Sequence, residues 1–156
     1  MNIKERTLVI VKPDALQRNL LGKIIERFER KGLKIVGLKM IQLDDVLLDE
    51  HYDHHKDKPF FDGLKKFMKG SPVAVMVLEG LEAIKAVRMI CGATSGRQAD
   101  MGTIRGDFSM STQANIVHAS DSIETAEKEI RRFFGGKELF DYRKIDFEHV
   151  YGEEER

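Results

Sequence analysis

The sequence has a single cysteine, no long apolar run and no excess of charge of either sign. Cys91 alone cannot form an intramolecular disulfide, which is typical of proteins from reducing compartments. The first apolar stretch, residues 7–11, is too short for a signal-peptide core or a membrane span. These absences predict a cytoplasmic protein.

The charge balance also argues against two classes of binding protein. Lys plus Arg number 26 and Asp plus Glu number 26, so the formal net charge is zero. A dedicated nucleic-acid or membrane-surface partner is therefore not predicted, although a local basic pocket stays open. With 156 residues, no repeat and no low-complexity linker, the chain is predicted to form one globular domain over residues 1–156.

Four β-rich segments alternate with segments of helical periodicity. The order predicts an α/β (α+β) fold of the ferredoxin-like, split βαβ type, a four-stranded antiparallel sheet with helices packed on one face. A small doubly wound sheet is the alternative, but it needs more strands than this chain offers. The strands are predicted at residues 7–11, 33–43, 73–78 and 116–118, and the helices at residues 14–30, 45–55, 60–69, 84–90 and 122–134.

The longest irregular segment covers residues 91–115 and contains four glycines. Long ordered loops in compact domains are usually functional. The strand that follows ends at His118, and Ser120 and Asp121 are predicted to cap the next helix. A histidine at a strand end, taken alone, more often packs or caps than catalyses.

Several familiar site motifs are absent. There is no P-loop and no G-x-G-x-x-G fingerprint after the first strand. An RNA-binding domain of the same strand order is disfavoured, because residues 73–78 lack the required aromatic and basic pattern. His51, His54 and His55 have a helical spacing that suits a metal, but without a supporting carboxylate motif a solvated helix face is favoured.

Cations and small polar residues gather at the predicted element ends. Each has an ordinary explanation: Lys12 as a surface lysine, Arg88 paired with a helix carboxylate, Arg105 paired with Asp107. Together they are the residue types that surround a polyphosphate. The set consists of Lys12, Arg88, Thr94, Arg105, Asn115 and His118.

Four stretches identify a family. They are residues 7–15 (TLVIVKPDA), 55–61 (HKDKPFF), 102–108 (GTIRGDF) and 115–122 (NIVHASDS). With them the chain resembles the nucleoside diphosphate kinases over nearly its whole length. The resemblance implies transfer of the γ-phosphate from a nucleoside triphosphate, typically ATP, to a nucleoside diphosphate by a ping-pong route. It also implies broad base and sugar tolerance, Mg²⁺, and a homo-oligomer, with a hexamer favoured over a tetramer.

The resemblance also implies roles for single residues. His118 matches the nucleophile, phosphorylated on its pros nitrogen, and Lys12, Ser120 and Glu129 match the residues that assist it. Phe60 matches the aromatic that stacks on the base. Mg²⁺ is expected to bind mainly through the nucleotide phosphates rather than through protein side chains. The implied substrate-binding residues are Lys12, Tyr52, Phe60, Leu64, Arg88, Thr94, Arg105, Thr112 and Asn115.

General chemistry independently supports phosphate transfer through a histidine. An imidazole with an unperturbed pKa of about 6.5 is a competent nucleophile at pH 7. A phosphorus–nitrogen bond keeps most of the transfer potential of a phosphoanhydride, whereas a serine ester would be too stable. One aromatic ring stacks on any base with little discrimination. A nucleotide-binding regulatory or scaffold protein that keeps the fold, and a nucleic-acid-binding ferredoxin-like module, are the alternatives.

Some positions depart from the family pattern. Ala119 follows the histidine where glycine is common, which would be strained if that backbone needs a positive φ. Ser95 and Gly96 stand where Asn-Pro is common, Met101 replaces a common proline, and Thr112 a common valine. Because proline stiffens a loop, a more mobile loop is expected at residues 95–96.

Overall fold

The computed structural model describes residues 4–156 and contains a four-stranded antiparallel sheet. The strand order β2-β3-β1-β4 confirms the ferredoxin-like arrangement, with β1 and β3 in the centre. The strands are β1 (Lys4–Val11), β2 (Lys34–Ile41), β3 (Val73–Leu81) and β4 (Val117–Ala119).

Helices connect the strands, and further helices follow the last strand up to the C-terminus. No helix within residues 4–156 is long and apolar enough to cross a membrane. Short 3-10 helices cover Asp53–His55, Gly136–Glu138 and Glu153–Glu155. The α-helices are α1 (Pro13–Gln17), α2 (Leu21–Arg30), α3 (Asp45–His51), α4 (Phe61–Lys69), α5 (Ala83–Cys91), α6 (Ile104–Phe108), α7 (Ile123–Phe133) and α8 (Phe147–Val150).

The helices cover both faces of the sheet, so the expectation of helices on one face is wrong. Val9 and Val11 of β1 pack in one apolar layer with α2 and α5. Leu8 and Ile10 point to the opposite face and pack with α3, α4 and α7. Successive side chains of a strand alternate between faces, so an uninterrupted apolar strand needs two covering layers.

β3 continues through Glu79 and Gly80, beyond its predicted end at residue 78. The buried Glu79 carboxylate lies 2.8 Å from Lys4 Nζ and accepts a hydrogen bond from Arg6 Nε at 2.7 Å. Burial would raise the pKa of this carboxyl, but the hydrogen bonds from the two cations outweigh it and hold the pKa at about 2. The ion pairs allow a charged residue in a central strand.

Several predicted helix boundaries differ in the structure. The helix expected over residues 14–30 is interrupted at Asn19, whose φ of 58° cannot continue a right-handed helix. Neither Ser120 nor Asp121 caps α7. Ser122 is the N-cap, and its side chain accepts from the Thr125 backbone N–H at 3.1 Å.

Candidate functional site

A strained turn positions β4. Ile116 has a φ of 78°, an unfavourable conformation for a β-branched residue. Its N–H donates to Asp14 Oδ2 at 3.1 Å, and its carbonyl accepts from the Lys12 N–H at 2.8 Å. The Val117 N–H donates to the Asn115 carbonyl across the turn at 2.9 Å. These bonds fix the turn against β1 and thereby fix the residue that follows Val117.

That residue is His118, which pairs with Ile10 of β1 and keeps 24% of its side chain exposed. Its Nε2 lies 2.7 Å from Oε2 of the buried Glu129 on α7. The Ser120 hydroxyl donates to Oε1 of the same carboxylate at 2.6 Å. A carboxylate oxygen accepts hydrogen bonds, so in the neutral form of the imidazole this contact places the proton on Nε2 and the lone pair on Nδ1.

Ala119 is not strained in this arrangement. It pairs with Val9 in β4 and is buried. Within residues 4–156, the non-glycine residues of positive φ do not include it. The requirement for positive φ falls on Ile116 instead, so alanine after the histidine is compatible with the strand.

Lys12 is buried, so the interpretation as a surface lysine is wrong. Its Nζ donates to Asn115 Oδ1 at 2.6 Å, and the Asn115 amide donates to the Thr94 carbonyl at 2.9 Å. Burial, with a further contribution from Arg105, lowers the pKa of Lys12 to about 8. The structure thus joins three predicted site residues and places a cation directly after β1.

Arg105 links the glycine-rich segment to β4. Its guanidinium donates to the carbonyl oxygens of Gly92 at 2.8 Å, Val117 at 2.6 Å and Asn115 at 3.1 Å. Burial lowers its pKa from the ordinary arginine value. The expected alternative pair with Asp107 is wrong, because that carboxylate pairs with an arginine of α2.

Arg88 on α5 is exposed, and within residues 4–156 it has no ion pair, so the alternative of a helix salt bridge is not found. It lines an open cleft together with Thr103 and Asp121. The Gly92 N–H donates to the Arg88 carbonyl at 3.0 Å, and Arg105 donates to the Gly92 carbonyl, so the two arginines lie on neighbouring segments. Arg88 is therefore a free cation beside the Lys12–Arg105 pair.

The aromatic side of the site is built on α3 and α4. Phe60 precedes α4 and is 51% exposed, with the His55 ring 5.1 Å from its own. Tyr52 is buried, 6.1 Å from His55 between ring centroids. Leu64 is buried in the apolar layer beneath, and Thr112 is exposed on the loop before β4. Phe60 is thus the solvent-exposed aromatic ring of this group.

His51 lies beside His118, a position that the sequence did not reveal. It ends α3, is buried, and its ring centroid lies 4.7 Å from that of His118. Its Nδ1 lies 3.0 Å from Nη1 of Arg132 and 3.3 Å from Oε2 of Glu129. Burial, followed by the neighbouring His118, lowers the pKa of His51 well below its ordinary value.

The solvated face expected for three histidines is therefore wrong for His51. α3 ends at His51, and His54 and His55 lie in the following 3-10 helix with their ring centroids 3.9 Å apart. Because the helix type changes after His51, the three histidines do not lie on one face of a single helix. The clue that the sequence did offer is that His51 directly precedes Tyr52, an implied substrate-binding residue.

A second cavity lies away from these residues. It encloses about 400 Å³ and is lined by Lys34, Glu79 and Tyr142 among others. None of the predicted site residues lines it. Lys12, Arg105 and His118 instead lie where β1, β4, α7 and the glycine-rich segment meet.

The segment at Gly96 is closely packed, which gives no support to a looser loop there. The Gly96 N–H donates to the Ser111 carbonyl at 3.1 Å, and a Cβ at this position would overlap the Ser109 backbone. We expect Gly96→Ala to lower the free energy of unfolding by about 2–3 kcal/mol in urea denaturation. Gly136→Ala is the control, since a Cβ there meets no atom within 4 Å. Equal stability of the two variants would contradict this packing.

Sequence comparison agrees with this geometry. The chain matches the family model described as nucleoside diphosphate kinase over residues 5–139. A nucleoside diphosphate kinase of Parabacteroides distasonis is 54% identical over 151 residues, which cover 97% of this chain and 99% of the relative. One of Pyrococcus horikoshii is 54% identical over 145 residues, 91% of this chain and 92% of the relative.

Solved structures show the same fold. The nucleoside diphosphate kinase of Halobacterium salinarum in complex with CDP superimposes with a TM-score of 0.94 at 46% identity, covering 96% of this chain and 100% of that one. A Borrelia burgdorferi enzyme, a transition state mimic with bound vanadate and ADP, gives 0.86 at 39% identity, covering 92% and 94%. The chain belongs to the nucleoside diphosphate kinase family.

Proposed function

We propose that the protein is a nucleoside diphosphate kinase that moves the γ-phosphate of a nucleoside triphosphate, typically ATP, to a nucleoside diphosphate through a phosphorylated His118. The observation that carries the proposal is the bond between His118 Nε2 and Glu129, which leaves Nδ1 free to attack. Relatives named for this activity, and neighbours solved with CDP or ADP, support it.

The reaction proceeds in two transfers. The Nδ1 lone pair of His118 attacks the γ-phosphorus, the bond to the β-phosphate oxygen breaks, and the nucleoside diphosphate leaves. Nδ1 is the pros nitrogen, and the Nε2–H keeps its bond to Glu129, which stabilises the positive ring. A terminal oxygen of a second nucleoside diphosphate then attacks the phosphorus, and the P–N bond breaks to restore the histidine.

The protein's cations stabilise the charge that develops on the transferred group. Lys12 lies at the end of β1, beside the strand that carries His118. Arg105 donates three of its five guanidinium N–H groups to backbone carbonyls. The other two can donate to phosphate oxygens. Arg88 is free of ion pairs within residues 4–156 and completes the set. Preorganised cations of this kind contribute strongly to phosphoryl transfer.

A divalent cation is part of the proposal, and we propose Mg²⁺. The carboxylate nearest to His118 is Glu129, which is already bound to the histidine and to Ser120. The residues therefore fit an ion that is held mainly by the nucleotide phosphates and water. When bound, the ion neutralises phosphate charge, while Lys12 and Arg105 hold and orient the phosphates.

The remaining predicted residues are proposed to bind the nucleotide. Asn115 and Thr94 lie on the Lys12 hydrogen-bond chain, where sugar and phosphate oxygens would be held. Tyr52 is buried beside the same site. Leu64 supports the base site from the core, and Thr112 lies exposed on the loop before β4, where it would contact the base.

Removing the exposed ring should weaken binding of every base. We expect Phe60→Ala to cost about 1–3 kcal/mol of affinity for ADP, GDP and CDP alike, because stacking uses the face common to all bases. Titration calorimetry measures the three affinities. Phe140→Ala, which removes another exposed ring, is the control. An effect confined to one base would show that Phe60 reads base identity.

One labelling experiment separates turnover from mere binding. The full chain is mixed with γ-labelled ATP and Mg²⁺, and the product is tested for an acid-labile, base-stable phosphoprotein that any nucleoside diphosphate discharges. Nucleotide binding without label would favour the alternative, a regulatory or scaffold protein. A nucleic-acid-binding module is disfavoured because helices cover both faces of the sheet, leaving no open face for stacked bases.

Self-association is also proposed, with a homohexamer favoured over a tetramer. The edge strand β2 carries Leu38 and Met40, exposed by 50% and 62%, which supports burial against another copy. Sedimentation equilibrium decides the oligomeric state, and a monomer would contradict the proposal.

Tyr151 accepts a hydrogen bond from the Leu81 N–H, which supports one domain that includes the C-terminal tail. The free, buried thiol of Cys91 supports a cytoplasmic location.

A further inference from the structure

We infer that His51, His118 and Glu129 form an inhibitory metal site that takes one Zn²⁺ ion. The inference rests on the proposed function in one respect, that occupation of the site would stop phosphorylation of His118. It concerns a different ion and different ligands from the Mg²⁺ that accompanies the nucleotide.

The three donor atoms already converge. One ligand atom from each residue lies within 4.8 Å of the others. Glu129 Oε2 is 2.7 Å from His118 Nε2 and 3.3 Å from His51 Nδ1. Zinc–ligand bonds of about 2.0–2.1 Å in a tetrahedron place the donors roughly 3.4 Å apart. Only modest side-chain movement is therefore needed to bind an ion between them.

The donor set is of the right chemical type. Two imidazoles and one carboxylate, with the fourth position open, are a ligand set used by zinc enzymes, whereas Mg²⁺ prefers oxygen ligands. Nδ1 of His51 accepts a hydrogen bond from Arg132, so it carries a lone pair that a metal can use. The His118 side chain is 24% exposed, so solvent reaches one member of the cluster.

Two features allow His51 to change partner. Its Nε2 is buried without a hydrogen-bond partner, so movement of the ring breaks no bond at that atom. Arg132, which would have to release Nδ1, lies 3.3 Å from Glu50 and keeps that partner. The charges of Arg132 and Lys12 oppose a dication, so we expect micromolar binding rather than the tight binding of a structural zinc.

Zinc at this point would disable the nucleophile. A metal on Nε2 of the neutral His118 ring uses the lone pair of that nitrogen, so the ring proton then lies on Nδ1. With Nδ1 protonated, the lone pair that attacks the γ-phosphorus is gone. The site would therefore respond to free zinc by stopping the first transfer, and a chelator would restore it.

Histidine ring NMR of the full chain, without nucleotide, tests the site directly. During titration with Zn²⁺, the ring signals of His51 and His118 should change together and be complete at one equivalent. The rings of His54 and His55 should respond only to excess metal, although they are 3.9 Å apart. A first response at His54 and His55 would overturn the proposal. This measurement needs no variant to fold.

Variants then connect binding to inhibition. In His51→Gln, the Zn²⁺ concentration that halves the labelling rate of His118 should rise roughly tenfold or more. His54→Ala, which alters an exposed histidine, should show the inhibition of the unaltered chain. Equal sensitivity of His51→Gln and the unaltered chain would overturn the site. A chain that binds one Zn²⁺ at His51 and His118 but is never labelled by ATP would overturn the proposed function alone.

Discussion

A His118→Ala protein is expected to take up no phosphate from γ-labelled ATP and to lose its exchange activity by roughly 10⁴-fold or more. The ring contributes the only attacking atom in the proposed route, Nδ1, which the bond from Nε2 to Glu129 leaves free. Without it, transfer would need direct attack between two nucleotides, for which the chain provides no covalent carrier. The measurement is the single-turnover labelling rate together with the steady-state exchange rate.

The fold should survive this change. His118 is partly exposed, and the Glu129 carboxylate left behind keeps its hydrogen bond from Ser120. We therefore expect His118→Ala to bind nucleotide with little change, which separates lost chemistry from lost structure. His149→Ala, at an exposed histidine of α8, is the matched control and should label normally. Persistent label in His118→Ala would mean that another residue carries the phosphate.

Much of the fold could be predicted because its central strands, β1 and β3, contain uninterrupted apolar runs. The expectation of helices on one face failed, although the same runs argued against it. Residues 8–11 and 73–78 are apolar at every position, and a strand with one solvated face would alternate. The composition of these strands by itself therefore implied two covering layers.

The site residues could be named from local motifs, but their surroundings could not. Lys12 and Asn115 are 103 residues apart, and the hydrogen bond that buries the lysine depends on the pairing of β1 with β4. His51 and His118 meet because α3 packs on the face of the sheet to which Ile10, the β1 partner of His118, points. Neither contact leaves a periodic trace in the sequence. Motifs therefore supply the identity of a site, whereas burial and pKa follow from long-range packing.

Replacement of the buried lysine should have the second largest effect. We expect Lys12→Ala to lower the exchange rate by roughly 10²–10³-fold, the usual cost of removing one preorganised donor to developing charge. Burial and the neighbouring Arg105 lower the pKa of Lys12 to about 8. The cation is thus present below this pH and is lost as the pH rises through it. Consequently kcat/KM of the unaltered chain, which reports on the free enzyme, should fall above a pH of about 8.

Lys12→Arg distinguishes charge from shape. A guanidinium stays protonated throughout this range, so the alkaline fall in kcat/KM should disappear even if the absolute rate is lower. Lys31→Ala, at an exposed lysine after α2, should keep both the rate and the fall. An alkaline fall that persists unchanged in Lys12→Arg would assign it to another group. If instead it vanishes, the burial that lowers the pKa of Lys12 also limits the pH range in which the enzyme works.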